Sequence, residues 1–181
     1  MVNKLLTIIT LAKNSETTID RCLKSVKEVV CDNNKTQLEH IVIYGHSNDQ
    51  TLSICHDFNV NVLVETGKGI FSAMNQGLLA ASGKYIMFLN SDDRLLYDPI
   101  SIIKKHYPSK FIFCSVEMYK NNLLLNKWKM KRHPKLWRMP FPHPGFISCT
   151  RELRLIGFDE TYLLSADYDQ VLKVLNFKNF V

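Results

Sequence analysis

The sequence predicts a single α/β domain built on a largely parallel sheet with helices on both faces. Three observations carry that prediction. Short apolar runs alternate with amphipathic helical patterns through the first half of the chain. The 181 residues suffice for one domain of ordinary size and not for two substantial ones. A hydrophobic share of 46%, with only 7 Gly and 6 Pro, excludes a disordered, collagen-like or low-complexity chain. Parallel strands need crossover helices, and sheets of this kind bind ligands at the carboxyl ends of their strands.

Leu5 to Ala12 is short and continuously apolar, as suits a central strand covered on both faces. A short secretory core would look similar, but Lys13-Asn14-Ser15-Glu16 follows with no small-x-small cleavage pattern. Ile19, Cys22, Leu23, Val26, Val29 and Val30 then recur at helical spacing, with Ser15 or Thr17 as the expected N-cap. Asp32 to Lys35 reads as a loop. Ile41 to Tyr44 is a second strand, which runs into the polar turn Gly45-His46-Ser47-Asn48-Asp49. A helix over about 50 to 58, an alternating strand at Asn59 to Glu65, a helix at Gly69 to Ala81 and a strand at Tyr85 to Leu89 follow. That last strand ends in Asn90-Ser91-Asp92-Asp93.

The second half has another character. Phe111 to Tyr119 and Leu123 to Met130 read as a β-hairpin joined by Lys120-Asn121-Asn122. Pro134, Pro140, Pro142 and Pro144 imply an irregular loop. Phe146 to Cys149 is a short strand, Arg151 to Ile156 a helix stopped by Gly157, and Ala166 to Leu175 a helix.

The net charge of +6 is not spread evenly. Between Met118 and Arg151 there is no acid, but there are eight cations: Lys120, Lys127, Lys129, Lys131, Arg132, Lys135, Arg138 and Arg151. Removing those eight from the 23 leaves 15 basic against 17 acidic residues. A basic segment of this kind, interleaved with Trp128 and Trp137, suits an anionic membrane surface; no nucleic-acid motif accompanies it. Five scattered cysteines form no close pair for zinc and no even disulfide set, so we assign them to packing in a reducing, cytoplasmic compartment. No apolar run approaches the roughly 20 residues of a membrane span.

Asp92 and Asp93 stand where an apolar strand enters a loop at the ligand-binding edge. Paired carboxylates there call for a hard cation, unless they merely cap a turn. Phe88 to Asp93 (FLNSDD) resembles the metal motif of family 2 glycosyltransferases of the GT-A fold. Leu6 to Asn14 is similar to that family's first strand, and Ile41 to Thr51 (IVIYGHSNDQT) to its second strand and turn. Glu65 to Asp93 resembles the branch that makes colanic acid and other surface polysaccharides. His143-Pro144, Gly157-Phe158-Asp159-Glu160 and Ala166-Asp167-Tyr168-Asp169 are similar to its acceptor-side motifs, in the same order.

The resemblance implies one GT-A domain, with a nucleotide-sugar half at 1–93 and an acceptor-side half at 94–181. It implies Asp93 as ligand of a divalent metal (Mn²⁺ or Mg²⁺), with Asp92 as a second ligand or a ribose contact, and Asp167 as the base of an inverting transfer. Donor contacts fall on Thr10, Ala12 and Asn14 of the first turn, and on Tyr44, Ser47 and Asp49 of the second. Lys68, Gly69 and Asn75 before the metal motif, and Asn90 and Asp92 within it, complete the donor set. His143 and Asp169 fall on the acceptor side, Asp169 as a cap or salt-bridge partner. The implied donor is a UDP-sugar, and the acceptor a saccharide or one linked to polyprenyl diphosphate, in bacterial surface polysaccharide synthesis.

The chain departs from the family pattern where Tyr44 and Gly45 replace an acid that contacts the nucleobase or ribose, and where Gly67 and Ser72 replace acids of the branch. The base is then gripped by stacking on Tyr44 or by backbone groups, not by a carboxylate. A catalytically degenerate nucleotide-sugar-binding protein is the alternative. A sugar nucleotidyltransferase is disfavoured because Ala12 to Glu16 contains no Gly.

Overall fold

The computed structural model describes residues 4–129 and 139–176. Lys131, Arg132, Lys135, Arg138, Pro134 and Trp137 of the basic segment lie outside the described residues.

The first strand, β1 (Leu6–Ala12), is the centre of a six-stranded sheet. It pairs in parallel with β2 (Leu38–Tyr44) on one side and with β4 (Tyr85–Phe88) on the other, and β3 (Asn61–Val64) extends the sheet beyond β2. Beyond β4 lie β8 (Phe146–Cys149) and the edge strand β5 (Phe111–Phe113), and β8 runs antiparallel to both of its neighbours. The order β3-β2-β1-β4-β8-β5 makes the sheet mixed and mainly parallel. The chain winds outward from β1 to β3 and then crosses to β4. The switch point therefore lies between β1 and β4, and a crevice opens at their carboxyl ends.

Alternation along each strand divides the core between two faces. Ile9, Ile41, Ile43, Ile86 and Phe88 pack with α4 (Ile70–Ala80), α6 (Thr150–Ile156) and α7 (Ala166–Asn176). Leu6, Ile8, Tyr85, Met87 and Leu89 pack with α1 (Ile19–Val29) and α5 (Pro99–His106) on the other face. Ala12, Ile19, Leu23, Val42 and Cys55 join α1 to α3 (Thr51–Asp57). Each fully buried Ile or Leu contributes roughly 1.5–3 kcal/mol of transfer free energy. Gly77 lets α4 settle onto β1, because a Cβ there would sit 2.7 Å from Ile9 Cγ2.

Several predicted elements are corrected. The first helix begins at Ile19, with Thr18 in the N-cap position and no side-chain cap; the Ser15 carbonyl accepts the Thr18 and Ile19 amides. Asp32–Lys35 forms one helical turn, α2, rather than a loop; an Asp32–Lys35 ion pair (2.6 Å) spans it. The helix α5 has no counterpart among the predicted elements, although its signal is plain: Asp98 accepts the Ile100 amide (2.9 Å) and Pro99 occupies the first turn. Cys31 is exposed, so packing explains Cys22 and Cys55 but not Cys31.

The largest correction concerns 111–119. Phe111–Phe113 belongs to the main sheet, and the hairpin proper is β6 (Val116–Lys120) with β7 (Leu123–Trp128). Its turn residues Asn121 and Asn122 both have positive φ (49° and 63°), as a two-residue hairpin turn requires. The run breaks at Cys114, whose amide donates to the Gly145 carbonyl (2.7 Å). The contact is so close that a Cβ on Gly145 would lie 2.5 Å from the Cys114 oxygen.

Candidate active site

Two turns at the carboxyl edge, after β1 and β2, are bound to each other by their own polar groups. Asn14 sits at φ 50°, a left-handed position that Asn tolerates. Its amide donates to Ser47 Oγ (2.9 Å), and its Oδ1 accepts the Asn48 amide (3.0 Å). The Glu16 amide donates to Asp49 Oδ2 (3.1 Å), and in return the Gln50 amide donates to Glu16 Oε2 (3.0 Å). The Ser15 amide donates to Thr51 Oγ1 (2.7 Å), and that hydroxyl donates to Asp49 Oδ1 (2.5 Å). Desolvation alone would raise the Asp49 acid. The Thr51 hydroxyl and the Glu16 and Thr51 amides outweigh it and bring the acid below the usual carboxylate range.

The third turn follows β4. Leu89 donates its amide to the Ile9 carbonyl (2.9 Å), so the acidic motif begins where the β1–β4 ladder ends. Asn90 forms the turn itself. Its carbonyl accepts the Asp93 amide (3.0 Å) and its Nδ2 donates to Asp93 Oδ2 (3.1 Å). One contact ties this turn to the first, Ser15 Oγ lying 2.9 Å from Ser91 Oγ, and Arg21 of α1 donates to the Asp92 carbonyl (3.2 Å). Burial, and then the neighbouring Asp92 charge, push the Asp93 acid up, against the opposing effects of Asn90 and Arg21. Burial also pushes the Cys22 thiol up to about 12, so Cys22 donates to the Asn90 carbonyl (3.4 Å) as a neutral group.

Among the described residues no three His, Cys, Asp or Glu side chains gather into a metal cluster. The donor set present is the pair Asp92 and Asp93. Two hard carboxylates whose charges repel, one of them half-buried, fit a divalent cation that takes its remaining ligands from substrate phosphates and water.

On the acceptor side α7 starts after Ser165, which has φ 69°, and Asp167 and Asp169 occupy its first turn. Asp167 Oδ1 accepts the Tyr168 amide (2.9 Å) and leaves Oδ2 outside that bond. Asp169 pairs with Lys173 (2.6 Å) one turn on. His143 is buried against the rings of Phe88 (5.6 Å) and Phe158 (5.7 Å), with Nε2 3.3 Å from Gln170 Oε1. Burial holds its imidazole below the usual range, opposed by Gln170 and by the charge of Asp167. His143 therefore links the carboxyl end of β4 to the start of α7, and Asp167 is felt from that link.

Several predicted contacts are corrected by burial. Thr10 is fully buried with its hydroxyl 3.0 Å from His40 Nε2, and Ala12 faces the core with its carbonyl bound by the Gly45 amide. Neither side chain is open to a donor. Tyr44 is 8% exposed and its hydroxyl donates to the Ser47 carbonyl (3.0 Å), so its ring supports the turn from beneath instead of stacking on a base. A carboxylate does reach this corner: a Cβ on Gly45 would lie 3.0 Å from Glu65 Oε2. Asn75 is consumed by a clasp, donating to the Phe158 carbonyl and Glu160 Oε1 (both 2.8 Å) and accepting the Phe158 amide (2.9 Å). His143 is a buried node and not an open acceptor ligand. Gly67 and Ser72 face each other, since a Cβ on Gly67 would collide with the Ser72 side chain. Lys68 and Gly69 are exposed ahead of α4, with Gly69 at φ 91°.

Sequence reasoning missed Ser15 and Ser91 as the link between turns, Arg21 as the partner of the Asp92 carbonyl, and Gln170 as the partner of His143. A polar residue at a buried helical position, as Gln170 is in α7, is the one signal that was there to read.

The chain matches the model of the family described as Glycosyl transferase family 2 over residues 7–163. A PGL/p-HBAD biosynthesis glycosyltransferase of Mycobacterium tuberculosis is 29% identical over 133 residues, 67% of this chain and 50% of that protein. Among solved structures, Staphylococcus aureus TarS 1-349 superposes with a TM-score of 0.72 at 26% identity, over 93% of this chain and 54% of that one. It has also been solved with UDP-GlcNAc. A mannosyltransferase of Pyrobaculum calidifontis, solved with GDP-Man and Mn²⁺, superposes with a TM-score of 0.70 at 22% identity, over 93% of this chain and 51% of that one. The chain thus spans about half the length of the curated relative and of both solved proteins.

Proposed function

The chain belongs to glycosyl transferase family 2 and has the GT-A fold, and from that premise we propose that it transfers a sugar from a nucleoside diphosphate sugar, with inversion, to a hydroxyl of a saccharide acceptor. The observation that carries this reading is the Ser15–Ser91 contact, which brings the braced β1–β2 turns and the acidic turn to one crevice at the switch point. The first offers backbone and side-chain polar groups to a nucleoside, and the second offers Asp93 and Asp92 to a diphosphate. A UDP-sugar is the donor we favour, in keeping with the UDP-GlcNAc held by TarS.

In this reading Asn14, Ser47, Asp49, Lys68 and Gly69 border the nucleotide. Asp93 and Asp92 hold Mn²⁺ or Mg²⁺, which when bound neutralises the charge of the diphosphate leaving group. Asn90 fixes the rotamer of Asp93 through its amide. The acceptor oxygen attacks the anomeric carbon, the bond to the nucleoside diphosphate breaks, and Asp167 takes the hydroxyl proton. Asp169, held by Lys173, stays outside the chemistry.

Lipid linkage of the acceptor, synthesis of bacterial surface polysaccharide and a cytoplasmic location at the membrane face complete the proposal. Exposed Leu123 (70%), Leu124 (53%) and Trp128 (37%), flanked by Lys120 and Lys129, favour contact with an anionic membrane. Lys127 contributes less, because Glu117 pairs with it (2.5 Å). No helix among the described residues is long and apolar enough to cross a membrane.

A panel of nucleotide sugars, assayed with Mn²⁺ for binding and for release of nucleoside diphosphate, tests the function. Metal-dependent binding that is lost in Asp93→Ala is the expected result. Absence of metal-dependent binding across the panel rejects the reading, and binding without turnover, with any acceptor, favours a degenerate binding protein.

A further inference from the structure

The acidic turn leaves the sheet after Leu89 and borders a cleft of about 580 Å³ between α5, the β6–β7 hairpin and the sheet, which Asp92 and Asp93 help to line. What holds the turn beside that cleft is α1. Cys22, fully buried, donates its thiol to the Asn90 carbonyl (3.4 Å) at the start of the turn. Ser25, also buried, accepts the Leu95 amide (3.0 Å) beyond its end and gives its own proton to the Cys22 carbonyl (2.7 Å). Between them Arg21 holds the Asp92 carbonyl (3.2 Å). Neither Cys22 nor Ser25 lines the cleft, so both act from behind the turn.

The grip at Asn90 is the one that bears on Asp93. The Asn90 carbonyl accepts the Asp93 amide (3.0 Å) as well as the thiol, and the Asn90 carboxamide donates to Asp93 Oδ2 (3.1 Å). Backbone and carboxylate of Asp93 are thus both tied to the residue that Cys22 holds. On the glycosyltransferase reading above, we infer that Cys22 is a positioning residue for the metal ligand Asp93: its thiol fixes Asn90, and Asn90 fixes Asp93 before a cation binds. Cys22 itself touches neither metal nor substrate. The need for such a hold is electrostatic, because the Asp92 charge works against an ionised Asp93. Two carboxylates that repel each other drift apart unless the turn is fixed, and reassembling them on binding would weaken the affinity for metal. A thiol suits the place: it packs among Leu6, Ile8 and Val26 and still has a proton to give.

A further contact steadies the thiol. The buried Thr10 hydroxyl bonds the Cys22 side chain and lies 3.0 Å from His40 Nε2. With its single proton given to sulfur, the Thr10 oxygen accepts from His40 Nε2. Donation then runs in one direction, from His40 through Thr10 and Cys22 to Asn90, and each bond polarises the next.

The test compares Cys22→Val, Cys22→Ala and Cys22→Ser in the full chain. Val enlarges the side chain, Ala shrinks it, and both remove the donor; Ser keeps one. Calorimetric titration of Mn²⁺ in the presence of UDP should give an affinity about tenfold weaker in both Val and Ala, the lower end of what losing a group behind a metal ligand costs. Ser should restore part of it. In the absence of metal and nucleotide, NMR should show faster hydrogen exchange at the Asp93 amide and the Asn90 carboxamide in Val and Ala, while the amides of β2 and β3 keep their rates. Unchanged Mn²⁺ affinity in Val and Ala, or unchanged exchange at Asp93, overturns the inference. A loss confined to one of the two is a packing effect and overturns it as well. Absence of Mn²⁺-dependent UDP binding in the unmodified protein speaks against the glycosyltransferase reading, and the exchange measurement then decides by itself whether Cys22 holds Asp93.

Discussion

The turns over β1 and β2 and the β6–β7 hairpin occupy the same protein and are built in opposite ways. Asn14, Glu16, Ser47 and Asp49 spend their hydrogen-bonding groups on one another, within and between two short turns. The hairpin spends almost nothing: all six residues of β7 are exposed, and Glu117–Lys127 is its one ion pair among the described residues. Preorganised polar groups suit a ligand whose chemistry does not vary, such as a nucleoside diphosphate, because their order is set before binding. Open apolar and cationic groups suit a partner that supplies its own order, such as a lipid-borne acceptor.

The sharpest way to break this contrast is at the catalytic step. Asp167→Asn keeps shape and removes basicity, so transfer should fall by about 10² to 10⁴ while Mn²⁺-dependent UDP binding holds, a barrier change of roughly 3 to 5 kcal/mol. Asp169→Asn should change transfer by only a few-fold, since its carboxylate is paired with Lys173. Reversal of the two effects in steady-state kinetics would move the base by two residues.

Next in size is the pH dependence of stability. Part of His40 remains open to solvent, yet desolvation of its ring pulls the imidazole down to about 4, beside the Thr10 hydroxyl. A histidine depressed in the folded state adds stability above its unfolded value near 6.5, and that stability is lost as the pH falls toward 4. The loss should approach about 3 kcal/mol, visible as a falling urea midpoint between pH 7 and 4.5. His40→Gln should flatten that slope; an unchanged slope would place the effect elsewhere, as at His143, whose imidazole is buried.

Asp49→Ala should come third. It removes the acceptor of the Thr51 hydroxyl and of the Glu16 amide, at about 1 to 2 kcal/mol, and should weaken Mn²⁺-dependent UDP binding measured by calorimetry. Unchanged UDP binding would remove Asp49 from the nucleotide platform.

The smallest expected effect is at the hairpin. Leu123→Ser with Leu124→Ser should shift stability by no more than about 0.5 kcal/mol, since both side chains are exposed. The pair should still weaken sedimentation with anionic vesicles. A large loss of stability would mean that the hairpin is part of the core after all.

Local pattern accounts for what was legible. Leu6 to Ala12, Ile41 to Tyr44 and Tyr85 to Phe88 announce themselves by composition alone, and helical spacing from Ile19 to Val29 and from Ala166 to Leu175 does the same for α1 and α7. The acidic turn is legible because two adjacent carboxylates cannot be buried unpaired at a strand end. By itself, then, the sequence determined the succession of strands and helices and the position of the acidic pair at a carboxyl edge. Periodicity is a property of a few neighbouring residues, and it survives whatever the rest of the chain does.

Tertiary structure decided what depends on partners tens of residues away. Phe111–Phe113 left the hairpin because β8, more than thirty residues later, offered it a ladder. Thr10, Asn75 and His143 look like open polar groups in the sequence, yet each is taken up by a distant partner: His40, the Phe158–Glu160 loop and Gln170. Tyr44 is held by its own turn, its ring tilted against His46 and its hydroxyl donating to the Ser47 carbonyl. The cleft beside Asp93 exists only because α5, the hairpin and the sheet meet there. A cavity is the space between elements, and no single stretch of sequence contains it.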